Sequence, residues 1–262
     1  MDLDWAEWLR RYDAQQELYV PDRERRFALM IDLVGAAVPE GSTVVDVGAG
    51  PGALSTRLLA RLPSLTAVAL DADPVMLEFG RRAADALGTG VTDRLRWLRA
   101  DVVDEDWRAA VREAAPGPVH AVVSATALHY LPAADLVRVY REIARLLPRG
   151  GCFVSGDVLL LATHLVRAQA VIDQVRERRE QTARDNGAED WGQWWDAFER
   201  AASRDPALAA AFAERARSSL LARKQQRMVG SAFHLAALDE AGFAEVTTVW
   251  QDLEEFVLLA VR

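Results

Sequence analysis

The stretch from Val44 to Gly52, which reads VVDVGAGPG, constrains the fold of this chain more than any other. An apolar run leads directly into three glycines at alternate positions, a pattern typical of a buried parallel strand that ends in a ligand-binding turn. Glycine allows positive backbone φ angles there and lets a ligand lie against the main-chain amides. Asp46 lies within the apolar run, where an ionised carboxylate is costly unless it meets donors or a positive charge. We therefore expect a ligand that carries a positive charge or presents hydrogen-bond donors.

Strand and helix patterns alternate regularly after this turn, which predicts a parallel sheet with helices on both faces. Four further strands are predicted at residues 66–70, 95–98, 121–124 and 152–155, the last ending near Asp157. Two more strands, at residues 244–250 and 255–261, are joined by only about four residues, whereas a parallel connection needs a dozen or more. The final strand must therefore run antiparallel to its neighbour.

Helical patterns precede and interrupt this alternation. Two helices, the first with an aromatic face, are predicted before the first strand, and they could bring Tyr19 or Arg26 to the ligand. A mostly helical insertion follows the fifth strand, at the edge of the sheet where α/β proteins bind ligands. We expect one domain over residues 1–262, with residues 1–38 as a helical cap and residues 158–229 as a helical lid. The tryptophans of the insertion, Trp191, Trp194 and Trp195, would line a pocket or hold the lid shut.

Acidic residues follow the second and third predicted strands. Asp71 lies about twenty residues past the glycine turn, where an acid can accept hydrogen bonds from both hydroxyls of a ribose. Asp73 precedes Pro74, a pair typical of a helix N-cap and first helical residue. Asp101 could accept a hydrogen bond from a ligand amine, cap a helix or remain a solvated loop acid.

The acid and the three glycines resemble motif I of the class I S-adenosylmethionine-dependent methyltransferases, in which an acid and one residue precede GxGxG. The same letters also fit a dinucleotide fingerprint, with Ala53 in place of its last glycine. The antiparallel final strand favours the methyltransferases, since their seventh strand is inserted beside the fifth, whereas dinucleotide domains have six parallel strands. The resemblance covers residues 44–157 and 233–262. It implies a doubly wound α/β fold whose seven-stranded sheet is parallel except for the last strand.

This resemblance implies S-adenosyl-L-methionine as the cofactor and assigns its contacts. Gly48, Ala49 and Gly50 would approach the methionine moiety, while Asp46 would support the loop or the ligand's amino group. The other implied contacts are Asp71 on the ribose hydroxyls, Asp101 on the adenine amine, Ala72 and Val102 beside the adenine ring, and Ser124 and Ala125 beside the methyl group.

The candidate catalytic residues follow the fourth and fifth strands. A sulfonium methyl group is already activated, so the protein mainly has to align a nucleophile and exclude water. A base is needed only if the acceptor loses a proton, and His129 is the candidate because histidine titrates near about 6.5. Asp157 could orient an acceptor hydroxyl or amine. His129 could equally pack or cap a turn, and His164 is a weaker candidate for recognition.

Composition and missing motifs narrow the acceptor to a small molecule. The net charge of -8 argues against a nucleic-acid partner. The residues after strand four read SATA, which differs from the pattern of enzymes that methylate nucleic-acid amines. Residues 122–129 contain no acid that could bind magnesium, so no metal is expected. No apolar run reaches the ~18 residues of a membrane span, and no signal peptide is evident, so we expect a cytoplasmic protein.

Other readings of the sequence remain open. A NAD-dependent oxidoreductase would use the same glycine turn. A non-methylating S-adenosylmethionine-binding protein or a cyclase would use the same fold. The aromatic N-terminal helix would suit either a lid or a contact in a homodimer. Only one of the 31 basic residues is a lysine, which suggests a GC-rich bacterial genome.

Overall fold

Seven strands form a single sheet in the computed structural model, which describes residues 3–86, 90–162, 164–218 and 228–262. In chain order they are β1 (Thr43–Val47), β2 (Thr66–Asp71), β3 (Leu95–Arg99), β4 (Val119–Ala125), β5 (Cys152–Val158), β6 (Glu245–Asp252) and β7 (Glu255–Val261). The order across the sheet is β3-β2-β1-β4-β5-β7-β6.

The pairing directions confirm the predicted fold class. Strands β1 to β5 pair in parallel, and β7 runs antiparallel to both β5 and β6. All five residues of β1 are buried, as expected for a central strand that helices cover on both faces. The short connection between the final two strands therefore predicted their antiparallel pairing correctly.

Helices cover both faces of the sheet and the edge at which the glycine turn lies. The described helices are α1 (Trp5–Tyr19), α2 (Arg23–Ala37), α3 (Ala53–Arg61), α4 (Pro74–Ala86), α5 (Trp107–Ala114), α6 (Ala133–Leu146), α7 (Val166–Asp185), α8 (Trp191–Ala202), α9 (Pro206–Arg217) and α10 (Ser231–Glu240). The two N-terminal helices occur where the sequence predicts them. Helices α7, α8 and α9 belong to the predicted insertion, of which residues 163 and 219–227 lie outside the described part of the chain.

The helix that follows β2 shows how local sequence sets a boundary. Pro74 is the first residue of α4, where its missing N–H costs no hydrogen bond. The Asp73 carboxylate accepts a hydrogen bond from the Val75 N–H at 3.0 Å. This confirms the predicted helix start and leaves the second carboxylate oxygen of Asp73 available for another contact.

Three apolar clusters hold the elements together. Two lie on the faces of the sheet, one around Phe153 and Tyr140 and the other around Phe27 and Met30. The third contains aromatic side chains of α1, α4 and α8, including Trp8, Tyr12, Phe79, Trp194 and Phe198. The N-terminal helix and part of the insertion thus share one core with α4. Among the described helices, none is both long enough and apolar enough to cross a membrane.

Candidate functional site

The glycine turn connects β1 to α3 at the edge of the sheet. Gly48, Gly50 and Gly52 have φ angles of 70°, 55° and 73°, which confirms the positive φ expected of them. The N–H groups of Gly48 and Ala49 donate to the Leu70 carbonyl at 2.9 and 3.0 Å. A Cβ on Gly48 would lie 2.3 Å from the Cβ of Ala127. The turn is therefore held between the ends of β2 and β4, with no room for a side chain.

The predicted acids at the ends of β2 and β3 lie beside this turn. The Asp71 carboxylate accepts hydrogen bonds from the N–H groups of Gly50 at 2.7 Å and Asp73 at 2.8 Å. Asp101 accepts one from the Val103 N–H at 3.1 Å. Because parallel strands end at the same edge, residues distant in sequence line one cavity with the glycine turn.

Asp46 is a buried acid in the middle of β1. The residue is 2% exposed, and its carboxylate accepts a hydrogen bond from the Ser55 hydroxyl at 2.7 Å. Burial raises the pKa of Asp46 to about 7, against the opposing effect of the Ser55 hydrogen bond. Since Asp46 also lines the cavity, a positively charged ligand group beside it would favour its ionised form.

The cavity encloses about 1300 Å³ of empty space, including the part that is open to solvent. Residues of the glycine turn, the strand ends, the N-terminal helices and the insertion line it. Most of the predicted cofactor-binding residues line it: Asp46, Gly48, Ala49, Gly50, Asp71, Ala72, Asp101, Val102 and Ala125.

Ser124 is the predicted cofactor-binding residue that does not line this cavity. It is fully buried, and its hydroxyl donates to the Val47 carbonyl at 2.9 Å. Strand β4 continues to Ala125, one residue beyond the predicted end, so Ser124 still lies inside the sheet. Its hydroxyl links β4 to β1, and Ala125 reaches the cavity instead.

The two predicted catalytic residues meet each other behind the cavity wall. Nδ1 of His129 lies 2.5 Å from Oδ1 of Asp157, and the His129 N–H donates to Oδ2 at 3.1 Å. Their side chains are 10% and 2% exposed, and neither lines the cavity. Burial alone would raise the pKa of Asp157, but the His129 imidazole and the Arg26 guanidinium outweigh it and lower that pKa. The neighbouring Tyr130 does line the cavity.

The two cap residues that the sequence suggested as ligand contacts lie elsewhere. Arg26 is 1% exposed, pairs with Glu255 and donates to the Thr126 hydroxyl at 2.6 Å. Tyr19 is 40% exposed, and its oxygen accepts the Trp191 N–H at 3.2 Å. The cap residues that line the cavity are Tyr12, Gln16, Arg23 and Phe27, which the sequence analysis did not identify as ligand contacts. Helical spacing can assign Tyr12 and Phe27 to the apolar faces of their helices, but it cannot show which element those faces meet.

The insertion contributes Trp191, Trp195 and Arg215 to the cavity. Nε of Arg215 donates to Asp73 at 2.6 Å, and the guanidinium carbon lies 3.9 Å from the centroid of the Trp195 ring. Trp194 belongs to the aromatic cluster shared with α1 and α4. The exposed His164 does not line the cavity. The insertion thus forms part of the cavity wall and contacts Asp73 after β2.

Known proteins match the part of the chain that carries this turn and these acids. A family model described as a methyltransferase domain matches residues 44–151. A release factor glutamine methyltransferase of Chlorobaculum tepidum is 33% identical over 110 residues, which cover 42% of this chain and 35% of that protein. A trans-aconitate 2-methyltransferase of an Azoarcus species is 29% identical over 140 residues, covering 53% and 48%. The chain spans less than half the length of these curated relatives.

Solved structures match over most of this chain. A putative O-methyltransferase from Nostoc punctiforme has a TM-score of 0.57 at 16% identity, covering 95% of this chain and 60% of its own. An O-methyltransferase family 2 protein from Planctomyces limnophilus, solved with apigenin, has a TM-score of 0.52 at 18% identity, covering 92% and 62%. Residues 44–151 thus match a methyltransferase domain, and the sheet order and these structures show the fold of the class I S-adenosylmethionine-dependent methyltransferases. That class uses S-adenosyl-L-methionine as its cofactor.

Proposed function

We propose that this protein transfers a methyl group from S-adenosyl-L-methionine to a small-molecule acceptor inside the cavity. The observation that carries the proposal is the convergence of Asp46, Asp71 and Asp101, from three different strands, on one space with the glycine turn. Side chains of the N-terminal helices and of the insertion line the same space, where an acceptor would bind beside the cofactor.

The chemistry of the residues present fits this cofactor. S-adenosyl-L-methionine carries a sulfonium and an ammonium group, and the buried Asp46 carboxylate lies in the same cavity. Asp71 and Asp101 would accept hydrogen bonds from the ribose hydroxyls and the adenine amine. Ala72 and Val102 line the same part of the wall and would flank the adenine ring. When bound, the cofactor supplies an activated methyl group.

The protein's own contribution would be alignment and exclusion of water. Leu128, Tyr130 and Leu131, from the loop after β4, line the cavity. Asp157 binds both the backbone and the ring of His129 within that loop, which supports a role for Asp157 in positioning the wall. A role of His129 as a base on the acceptor stays a prediction. Positioning of the reacting groups can account for several kcal/mol of a barrier.

The acceptor is proposed to be a small molecule enclosed by the cap and the insertion. Side chains of α1, α2, α8 and α9 all line the cavity, which favours a ligand that can be surrounded. The trans-aconitate methyltransferase and the O-methyltransferases among the similar proteins support this acceptor class. In this proposal the insertion acts as a lid, and the atom that accepts the methyl group is oxygen, nitrogen or carbon.

Calorimetry with S-adenosylmethionine and S-adenosylhomocysteine tests the cofactor assignment. We expect Asp71→Ala to weaken binding about 10- to 100-fold, because hydrogen bonds to a charged group contribute about 1.5–3 kcal/mol each. The matched control is Asp104→Ala, at an exposed acid outside the cavity, which should bind like the unmodified protein. Absence of heat with either ligand, or binding of NAD instead, would contradict the proposal.

A panel of small-molecule acceptors, scored by release of S-adenosylhomocysteine, tests the reaction. Methyl transfer predicts stoichiometric S-adenosylhomocysteine and a product heavier by one methyl group. A product formed without S-adenosylhomocysteine would instead support the non-methylating alternative on the same fold.

A further inference from the structure

Arg23, the first residue of α2, lines the cavity in a fixed orientation. Its side chain is 6% exposed, and its Nη1 donates to Asp13 at 2.6 Å. The guanidinium carbon lies 4.5 Å from the centroid of the Phe27 ring and 6.0 Å from that of Tyr12. A guanidinium held in this way is a preorganised fork that can bind a carboxylate through two hydrogen bonds.

The charge of Arg23 is only partly balanced by its neighbours. Asp13 is shared with Arg57, whose Nη2 donates to it at 2.8 Å. Glu24 binds Arg57, and the half-buried Glu17 is close enough to Arg23 for their charges to interact. Of the five donors of the Arg23 guanidinium, only Nη1 has a hydrogen-bond partner within the described ranges of the chain. The guanidinium therefore has donors left for a second anion.

Tyr12 places this guanidinium near the glycine turn. Its hydroxyl oxygen lies 3.7 Å from the position that a Cβ on Gly50 would occupy. Burial raises the pKa of Tyr12, so the hydroxyl stays protonated and can donate a hydrogen bond. Tyr12 is 7% exposed and lines the cavity together with Arg23. An anion bound here would meet one guanidinium and one hydroxyl donor.

Among the described lining residues, the other charges favour this place for the cofactor's own anion. S-adenosyl-L-methionine ends in an α-carboxylate, which the lining acids Asp46, Asp71 and Asp101 would repel. Among the described lining residues, the guanidinium groups are those of Arg23 and Arg215. Arg215 binds Asp73 after β2 and stacks on Trp195, on the side expected for the adenosine.

We propose that Arg23, assisted by Tyr12, binds the α-carboxylate of the cofactor and so fixes its methionine arm over the glycine turn. This inference rests on the proposed function. It gives the N-terminal helices a part in cofactor binding in addition to enclosing the cavity. Arg23 thereby selects ligands that carry a complete amino-acid end.

Two ligands that differ only in the carboxylate test the assignment. Calorimetry would compare S-adenosylhomocysteine with its decarboxylated analogue, which retains the amine and the thioether. Arg23→Gln should weaken binding of S-adenosylhomocysteine about 10- to 100-fold and change that of the analogue less than about twofold. Tyr12→Phe should produce a smaller loss of the same selectivity. The matched control Arg25→Gln, at an exposed position of α2, should change neither.

The outcomes separate the inference from the function on which it rests. Equal losses for both ligands, no loss for either, or a rise only in the acceptor's KM would overturn the role of Arg23 and leave cofactor binding intact. Failure of the unmodified protein to bind either ligand would overturn both. If Arg23→Gln does not fold, Arg23→Lys keeps the charge, and its loss of affinity should still be selective for S-adenosylhomocysteine.

Discussion

Two groups of acids lie at the same edge of the sheet, and they differ in what surrounds them. Asp46, Asp71 and Asp101 line the cavity, whereas Asp157 and Glu255 lie behind its wall. The Asp46 carboxylate accepts a hydrogen bond from a hydroxyl, and Asp71 and Asp101 accept hydrogen bonds from backbone N–H groups, while Asp157 and Glu255 bind an imidazole and a guanidinium. Position at a strand end brings an acid to this edge, but the surrounding elements decide whether its side chain lines the cavity or is buried behind the wall.

The second group acts on the cavity through its wall. Glu255 is the first residue of β7 and pairs with Val158 at the end of β5. Because β7 runs antiparallel to β5, its start lies at the same edge as the end of β5. Arg26 connects Glu255 to the hydroxyl of Thr126, a cavity-lining residue with a φ angle of 55°. A non-glycine residue in this conformation stores strain, which the surrounding contacts must offset. The buried ion pair therefore supports the shape of the site.

Removal of the Arg26 guanidinium should produce the largest effect, a loss of stability, and it tests the difference between the two groups of acids. Arg26→Met leaves Glu255 buried without its partner, so we expect a loss of about 3–5 kcal/mol in the free energy of unfolding. Urea denaturation measures it. The control Arg25→Met, at an exposed position of the same helix, should stay within about 0.5 kcal/mol. A stable Arg26→Met variant that had lost only ligand binding would remove the distinction between the two groups.

The pH dependence of cofactor binding tests the first group. With a pKa of about 7 in the free protein, Asp46 is protonated below that pH, and a positive ligand group would lower its pKa. Binding should therefore release a proton, and affinity should rise with pH up to about 7, by at most about tenfold per pH unit. Above that pH the affinity should become constant.

Calorimetry between about pH 5.5 and 8, in buffers with different ionisation enthalpies, measures this proton release directly. Asp46→Asn removes the titrating group but keeps an acceptor for Ser55, so its affinity should be lower and the proton release should disappear. A profile for the unmodified protein that matches that of Asp46→Asn would place the ligand's positive charge away from this acid.

The smallest expected effect concerns the insertion. Arg215→Met removes the contact with Asp73 and the cation over Trp195, together about 1 kcal/mol for partly exposed groups. If the insertion is a lid, S-adenosylhomocysteine should dissociate about 3- to 10-fold faster, which stopped-flow tryptophan fluorescence can follow. The control is Arg217→Met, an exposed arginine of the same helix. An unchanged dissociation rate would argue that the insertion is a fixed wall.

The fold could be predicted because its signals are local. The buried strand before the glycines, the acids at later strand ends and the short connection 251–254 each concern few consecutive residues. Ser124 shows the limit of this reasoning, because the strand continues one residue further and keeps its hydroxyl inside the sheet.

The cap's contribution to the site could not be predicted, because it depends on contacts between distant segments. Tyr12 reaches Gly50 only after α1 has packed on α4 and α8, and helical spacing cannot show which element a face will meet. His129 and Asp157 were each placed near the site, and parallel pairing of β4 with β5 explains why they meet. Their mutual contact, which turns them away from the cavity, needed the structure.

The place of β7 in the sheet also determines the order in which the molecule can be completed. Strand β6 pairs with β7 alone among the described strands, although β6 is made first. In a nascent chain β6 must wait, with its edge exposed, until β7 has joined β5. Such pairings between distant segments form slowly and leave unpaired edges open to aggregation. The part of the site that carries Asp46, Asp71 and Asp101 could therefore assemble during synthesis, well before the part of the wall that depends on Glu255.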